Sequence, residues 1–240
     1  MRLITQLIRE IDEPGKIRVL PIVGYGQEEN IRDLLHLRGV EFSVVNSDIL
    51  AHLEQEGRLP KAKEKLRMVM PLIQKAVIVV ASKDVGSIEA LGGKSVATGG
   101  AGSQERITAR TLFNVLGVAP TFTTGTGESV LTAVEQGASS AGVLLTHEPE
   151  ELIRRIAENP DLKILDVPWS EKVGAVYDKA IISAVGAPQL QTVTLDTVLA
   201  IYNWQTSNSR FRNVSNFLRR AVSAVPDLIA GPPSLWNRID

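Results

Sequence analysis

Residues 95–116 of the chain read SVATGGAGSQERITARTLFNVL, and this stretch decides the class of fold. A short β-type run over residues 95–98 leads into a glycine-rich turn. The turn leads into a segment whose apolar residues recur every three or four positions, which predicts a helix over residues 104–116. A strand, a tight turn and a helix in this order are typical of an α/β protein.

Predicted strands and helices alternate along the rest of the chain. We predict strands at residues 17–23, 42–45, 66–73, 76–81, 95–98, 141–145, 162–167, 180–185 and 193–202. Helices are predicted at the N-terminus and at residues 28–37, 104–116, 128–135 and 148–157. A last helix carries one apolar stripe and is expected to end near Pro226, because proline breaks a helix interior. This alternation predicts an α/β fold with mixed, mostly parallel sheets.

The order of the elements suggests two lobes with a cleft between them. We predict that the first lobe comprises residues 1–74 and 186–240, and that the second comprises residues 75–185. The chain then crosses between the lobes twice.

Composition excludes several classes of function. The chain has 26 Lys and Arg against 27 Asp and Glu, which is not the basic excess of a nucleic-acid-binding protein. It has no cysteine, which excludes thiolate catalysis and Cys-based zinc sites, and its three histidines do not favour a metal site. No apolar run reaches the roughly 18 residues that a membrane span needs, so we expect a chain that is not embedded in a membrane.

Enzyme motifs are weak. Gly93-Lys94-Ser95 resembles the end of a phosphate-binding loop, but Ile88 stands where such a loop needs its first glycine. A Gly-x-Ser-x-Gly nucleophile turn is absent from the sequence. We therefore predict no catalytic residue, no metal and no cofactor.

Three turns between a strand and a helix could bind a ligand, because exposed N–H groups and a helix N-terminus favour an anion. Their candidate residues are Ala101, Gly102, Ser103 and Gln104 in the first turn, Gly24, Tyr25, Gly26, Gln27 and Asn30 in the second, and Asn46 and Ser47 in the third. Each turn also has a purely structural interpretation: Ser103 as a helix cap, a simple turn at residues 24–27, and Ser47 or Asp48 as the cap of the next helix.

Several of these stretches resemble one protein family. Residues 19–40, VLPIVGYGQEENIRDLLHLRGV, and residues 42–50, FSVVNSDIL, are similar to the TAXI family of TRAP-transporter solute receptors. So are residues 87–96, Gly102-Ser103, Thr108-Ala109, residues 197–204, Pro232-Pro233 and Trp236. Matches in the same order over most of a chain are more specific than any single glycine turn.

The resemblance implies a periplasmic binding protein of the type II fold that closes two lobes over a small anionic solute. Family members are associated with glutamate or related dicarboxylates and deliver them to a membrane permease with a fused pair of integral subunits. The turn at Gly102 and Ser103 would contact the solute from one lobe. The turns at residues 24–27 and at Asn46-Ser47 would contact it from the other lobe.

The sequence departs from the family pattern in two places. Members normally begin with a signal peptide and a strand that ends in a glycine-rich loop containing tyrosine, whereas Met1 here falls inside what looks like the following helix. Residues 74–76, QKA, stand where relatives often carry acidic and histidine residues. The resemblance implies a periplasmic receptor, and the missing signal leaves open a truncated or cytoplasmic relative that acts as a sensor. An enzyme on the same two-lobed scaffold is the other alternative.

Overall fold

A computed structural model describes residues 2–11, 18–125 and 127–230. The helices are α1 (Arg2–Ile11), α2 (Gln27–His36), α3 (Ile49–Gln55), α4 (Ala62–Lys65), α5 (Gln104–Leu116), α6 (Gly127–Glu135), α7 (Pro149–Ala157), α8 (Glu171–Gly174) and α9 (Ser209–Ala230). The strands are β1 (Phe42–Asn46), β2 (Leu66–Ser82), β3 (Ser95–Thr98), β4 (Thr121–Thr124), β5 (Ala141–Thr146), β6 (Leu162–Leu165), β7 (Asp178–Ile182) and β8 (Leu190–Tyr202). A short 3-10 helix spans Glu89–Leu91.

One mixed sheet runs through the whole structure. Its strand order is β1-β8-β2-β5-β3-β4, with β6 added beside β2 and β7 beside β8. The mixed α/β fold is confirmed, but the expectation of mostly parallel pairing is wrong for the described strands. Only β3 pairs in parallel, with β4 and β5, while the other five pairings are antiparallel. The long strands β2 and β8 cause this difference, because they lie side by side in opposite directions and every neighbour of theirs runs antiparallel to them.

Strand β2 is a single strand of 17 residues, although the sequence predicts two separate runs. Pro71 and the polar pair Gln74-Lys75 interrupt the apolar pattern without ending the strand. The pairing with β8 absorbs these residues through irregularities between Met68 and Met70 and between Pro71 and Ile73. Strands tolerate proline at such bulges, where no ladder hydrogen bond is lost.

Among the described residues, four hydrophobic clusters cover the sheet. On the β1 side, α1 and α9 supply Leu7, Phe217 and Ala221 to one cluster, and α2 and α3 supply residues such as Ile31 and Leu53 to another. On the β3–β4 side, α5 packs into a third cluster through Leu112 and Phe113, whereas α6 and α7 belong to a fourth. Each end of the sheet therefore has two clusters of its own.

Further predicted elements differ from the structure. The strand predicted over residues 180–185 ends earlier, at Ile182. Residues 18–24 form neither helix nor strand, although a strand is predicted over residues 17–23, of which residue 17 lies outside the described residues. Helix α9 continues through Pro226 to Ala230 instead of ending there. Proline removes the hydrogen bond to the carbonyl four residues earlier, which belongs to Val222, a residue that is 61% exposed.

None of the helices in residues 2–11, 18–125 and 127–230 combines the length and the apolar composition needed to cross a bilayer.

Candidate functional site

The turns at residues 24–27 and 99–103 meet in the structure. The N–H group of Gln27 donates a hydrogen bond to the carbonyl of Gly102 over 3.3 Å. A Cβ atom on Gly26 would lie 2.7 Å from the Gly102 oxygen, and Gly26 has φ +149°, so only glycine fits this position without strain. These two turns therefore lie in contact, while the binding of a solute between them stays a prediction.

Ser103 caps α5. Its Oγ accepts a hydrogen bond from the N–H of Arg106 over 3.2 Å, and its backbone is extended, as at a normal N-cap. The structural interpretation of Ser103 is therefore correct. The N–H groups of Gln104 and Glu105 lie in the first turn, where the helix itself provides no acceptor. Because α5 is 13 residues long, its dipole adds partial positive charge at this end.

Arg106 holds the ends of β3 and β4 together, and sequence analysis missed it. Its guanidinium donates to the hydroxyl of Thr98, to the carbonyl of Thr123 over 2.7 Å and to the hydroxyl of Thr124 over 3.2 Å. It also lies 5.3 Å from the ring centre of Phe122. A basic residue in the first turn of a helix opposes the helix dipole, and this was the signal that could have identified it.

Gln27 and Asn46 are buried and bonded inside the protein. Gln27 is 2% exposed, and its Oε1 accepts from the Asn46 N–H over 2.7 Å. The Asn46 side chain donates to the Thr108 hydroxyl over 3.5 Å and accepts from the Thr197 hydroxyl over 3.3 Å. Gln27 Nε2 has no hydrogen-bond partner among the described residues. Neither side chain can touch a solute unless this region opens.

Ser47 is bonded to β8. Its N–H donates to the Asp196 carbonyl over 2.8 Å, and its Oγ accepts from the Asp196 N–H over 3.3 Å. Burial, and to a smaller extent Asp178, raises the pKa of the Asp196 carboxyl. The predicted binding residue Ser47 thus attaches the end of β1 to its neighbour, with its hydroxyl proton still able to donate.

Asp48 follows directly and is 1% exposed. Burial raises the pKa of Asp48 to about 6, against the opposing effect of the Thr108 and Tyr177 hydroxyls. The Tyr177 hydroxyl lies 3.1 Å from Asp48 Oδ2 and 3.3 Å from the Thr108 carbonyl. One tyrosine proton faces two acceptors. A protonated Asp48 would supply a second proton, because its carboxyl can donate to the Tyr177 hydroxyl while that hydroxyl donates to the Thr108 carbonyl. Asp48 stands at the N-cap position of α3 without a capping hydrogen bond.

Lys75 connects β2 to the first residue of α5. Its Nζ donates to Gln104 Oε1 over 2.6 Å. Burial lowers the pKa of Lys75, whereas the charges of Glu105 and Asp48 raise it. A charged residue between two apolar runs was the sequence signal for this position.

The remaining predicted residues lie at the surface of the two turns. Tyr25 is 95% exposed and does not wall off any site in this conformation. Ala101 and Gly102 are exposed as well. Asn30 folds over Gly24, since its Oδ1 lies 1.8 Å from where a Gly24 Cβ would be. The Asn30 amide therefore covers the turn from the helix side.

Helix α5 packs directly on α2 and α3 beyond the turns. Ile107 belongs to the cluster that contains Ile31, Val45 and Ile49. Arg110 forms an ion pair over 2.6 Å with Glu56, the residue that follows α3. The elements that carry the candidate turns are thus closed against each other through apolar and polar contacts.

Within the part of the chain that the structure describes, no group of three or more His, Asp or Glu side chains is placed to hold a metal ion. The site offers N–H groups, hydroxyls and two partly buried cations, Lys75 and Arg106. These groups can orient an anion.

This fold is the two-lobed α/β fold of type II periplasmic binding proteins. The glutamate-bound ligand-binding core of GluR0 from Nostoc punctiforme is 16% identical, with 94% of this chain and 84% of that chain covered and a TM-score of 0.54. An ATP-bound protein from Xanthomonas citri is 14% identical, over 95% and 80% of the two chains, with a TM-score of 0.56. The ATP phosphoribosyl transferase complex from Thermotoga maritima is 17% identical, over 93% and 92%, with a TM-score of 0.53.

Residues 2–206 match the model of the NMT1-like family, and the chain belongs to that family. No curated protein matches the sequence. The narrower resemblance to the TAXI receptors stays a prediction.

Proposed function

We propose that this protein is a solute receptor that captures a small carboxylate between the turn at residues 24–27 and the turn at residues 99–103. The observation that supports the proposal most strongly is the hydrogen bond from Gln27 N–H to the Gly102 carbonyl, which joins the first turn to the entrance of α5. At 3.3 Å this bond is long for an N–H···O contact, so a charged oxygen would be a better acceptor.

An anion suits this place because of the groups around it. The first-turn N–H groups of α5 point out of the helix, and Lys75 contacts Gln104 at the same end. The carboxylate of Glu105 lies beside Gly99, 2.9 Å from where a Cβ would be. Glu105 therefore offsets the charge of one of the two cations, Lys75 and Arg106, so we expect modest affinity for a carboxylate rather than a strong general attraction for anions.

Capture requires the two sides to separate and close again. We infer that residues 1–74 with 186–240 and residues 75–185 act as the two lobes, and that the chain crosses between them within β2 and again just before β8. Opening would break the contact between Gln27 and Gly102, the contact between Tyr177 and Asp48, and the packing of Ile107. A solute that binds the closed form better then shifts the population toward closure.

The finer features of the proposal come from the resemblance to TAXI receptors. In this form of the proposal, the protein captures glutamate or a related dicarboxylate in the periplasm and delivers it to the permease subunits of a TRAP-type transporter. The GluR0 core, which has this fold, is bound to L-glutamate. Asp48 is fully buried in the closed arrangement, so it does not face a solute as a catalytic base would.

The test uses Ser103, because its cap and its predicted ligand contact can be separated. Ser103→Asp keeps an N-cap oxygen but adds a negative charge, and Ser103→Asn keeps a neutral cap. Calorimetric titration with L-glutamate, 2-oxoglutarate and succinate should show binding of at least one compound by the wild type. We expect Ser103→Asn to retain most of the affinity and Ser103→Asp to lose at least about tenfold.

If Ser103→Asp binds the carboxylate with unchanged affinity, this turn is not part of the site. Failure of all three carboxylates to bind the wild type would contradict the proposed class of solute. Thermal unfolding of both variants is the control for a damaged helix.

A further inference from the structure

The hydrogen bond between Tyr177 and Asp48 crosses the boundary between the two lobes proposed above. Asp48 belongs to residues 1–74, whereas Tyr177 and Thr108, whose hydroxyls act on it, belong to residues 75–185. Asp48 is 1% exposed and Tyr177 is 3% exposed. Opening of the lobes would therefore take Asp48 out of a buried place and expose its carboxyl to water.

The closed arrangement accommodates a neutral Asp48 better than an ionised one. Asp48 Oδ1 is buried and has no hydrogen-bond partner among the described residues, and Oδ2 shares one hydroxyl with the Thr108 carbonyl. A buried carboxylate is stable only where hydrogen bonds or an opposite charge compensate for the water it has lost. A carboxyl that keeps its proton avoids this cost and donates to the Tyr177 hydroxyl.

The charged groups around Asp48 do not reverse this preference. Burial raises the pKa of Asp48 to about 6, and the hydroxyls of its two partners and the charge of Lys75 on β2 lower it by less. Lys75 also interacts with the charge of Glu105 on α5. On β8, burial and the charge of Asp178 raise the pKa of the Asp196 carboxyl. Lys75 is thus the charged side chain that acts on Asp48, and burial outweighs its effect.

His52, one turn into α3, acts in the opposite direction. It is 4% exposed, its Nδ1 has no hydrogen-bond partner among the described residues, and burial lowers its pKa. Because α3 packs against α5, opening would hydrate the ring and let it take up a proton. The charges that act on this ring are those of Glu56, Arg110, Glu28 and Arg58. A pH response of Asp48 therefore has to be measured apart from His52.

We propose that closing the lobes takes up a proton at Asp48, so that acidic pH favours the closed receptor and higher pH favours the open one. This inference rests on the proposed function, because it requires the lobes to separate. The pKa of Asp48 is about 6 in the closed form, and we expect the ordinary 3.8 for its hydrated carboxyl in the open form. The stabilisation of the closed form is fully present below pH 3.8 and is lost as the pH rises through 6. The ratio of closed to open molecules should therefore be about tenfold larger at pH 5 than at pH 8.

The test counts closed and open molecules by single-molecule energy transfer in the full chain without solute. Dyes are attached at His36→Cys on α2 and Glu150→Cys on α7, two exposed positions, and the sequence has no other thiol. In His52→Gln, the ratio of closed to open molecules should rise about tenfold from pH 8 to pH 5. Adding Asp48→Asn should abolish the rise, because an amide has no titrating proton. Asp84→Asn, at an exposed carboxyl, is the matched control and should leave the rise unchanged.

An equal ratio at pH 5 and pH 8 in His52→Gln, or the same rise with Asp48→Asn, would overturn the proposal. Wild type and Asp48→Asn form a second pair, in which His52 is present in both chains and its effect cancels from the quotient of their ratios. That quotient should also change about tenfold, and a constant quotient contradicts proton uptake at Asp48. Because no solute is added, these outcomes do not depend on whether carboxylates bind. A chain that binds them and closes without a pH response contradicts this inference alone, whereas a chain that never opens contradicts lobe closure as well.

Discussion

The hydroxyl of Tyr177 lies 3.1 Å from Asp48 Oδ2, and this contact joins residues that are 129 positions apart in the chain. Tyr177 follows α8, whereas Asp48 precedes α3. The same hydroxyl reaches the Thr108 carbonyl in α5. One phenol therefore connects three elements beneath the two candidate turns, and its partner is a carboxyl that burial makes hard to ionise.

Replacing Asp48 should change how stability depends on pH. The pKa of Asp48 rises from 3.8 to about 6 on folding, so the folded protein holds this proton more tightly than the unfolded chain does. The resulting stability is fully present below pH 3.8 and is lost as the pH rises through 6. The loss amounts to about 3 kcal/mol at most. Asp48→Asn carries no titrating proton, so its free energy of unfolding relative to wild type should increase from pH 4 to pH 7.

Urea unfolding at several pH values measures this difference. Asp84→Asn, at an exposed position, is the control, and its difference from wild type should not follow the same curve. A difference between Asp48→Asn and wild type that is flat between pH 4 and 7 would refute the prediction.

Tyr177→Phe should destabilise the protein, and more so at high pH. The substitution removes the hydroxyl that hydrogen-bonds Asp48, a bond that favours the ionised carboxyl and lowers its pKa. A hydrogen bond to a charged group contributes about 1.5–3 kcal/mol and one to a neutral group about 1 kcal/mol. The cost should therefore be larger at pH 8, where Asp48 is ionised, than at pH 5. Unfolding curves at the two pH values test this, and an equal cost at both would show that Asp48 does not ionise in the folded state.

Gly26→Ala should weaken the contact between the two turns. Its Cβ would lie 2.7 Å from the Gly102 oxygen at a φ that side chains rarely adopt. Gly102→Ala is the matched control, because its Cβ would meet the Tyr25 oxygen at an ordinary 3.5 Å. Hydrogen exchange of the Gln27 amide should become faster in Gly26→Ala than in Gly102→Ala. Equal exchange in the two variants would argue against a close approach at Gly26.

Ile107→Ala should cost about 2–4 kcal/mol of unfolding free energy, because Ile107 is 2% exposed in a cluster with α2 and α3. Val222→Ala, at a residue that is 61% exposed, should cost under about 0.5 kcal/mol. Chemical denaturation distinguishes the two. A small cost at Ile107 would mean that α5 is not firmly packed against those helices.

Helix α5 could be predicted from the sequence because its signals are local. Ser103 as a cap, an apolar period of three to four and Gly117 in the left-handed region mark both ends, and the structure has the helix at the predicted residues. The contact between Gly26 and Gly102 agrees with an expectation whose premise was half wrong, because residues 18–24, before the first turn, form no strand.

The strand predicted over residues 17–23 was wrong for its described part for a different reason. Its composition favours a strand, but a strand also needs a neighbour, and pairing depends on the rest of the fold. The antiparallel pairing follows from the long strands β2 and β8, which lie side by side in opposite directions. No local pattern in the sequence indicates this arrangement. Asp48, Thr108 and Tyr177 come together from three distant segments, so spacing in the sequence could not group them.

The chain runs twice between β1 and the parallel strands β3 and β4, once along β2 and once along β8. These two strands are hydrogen-bonded to each other over residues 66–76 of β2. Two strands bonded in this way can bend or twist together but cannot slide apart, so we expect the opening proposed above to be a rotation rather than a translation. A single pair of spin labels, one on α2 and one on α6, would then follow the whole movement through one distance.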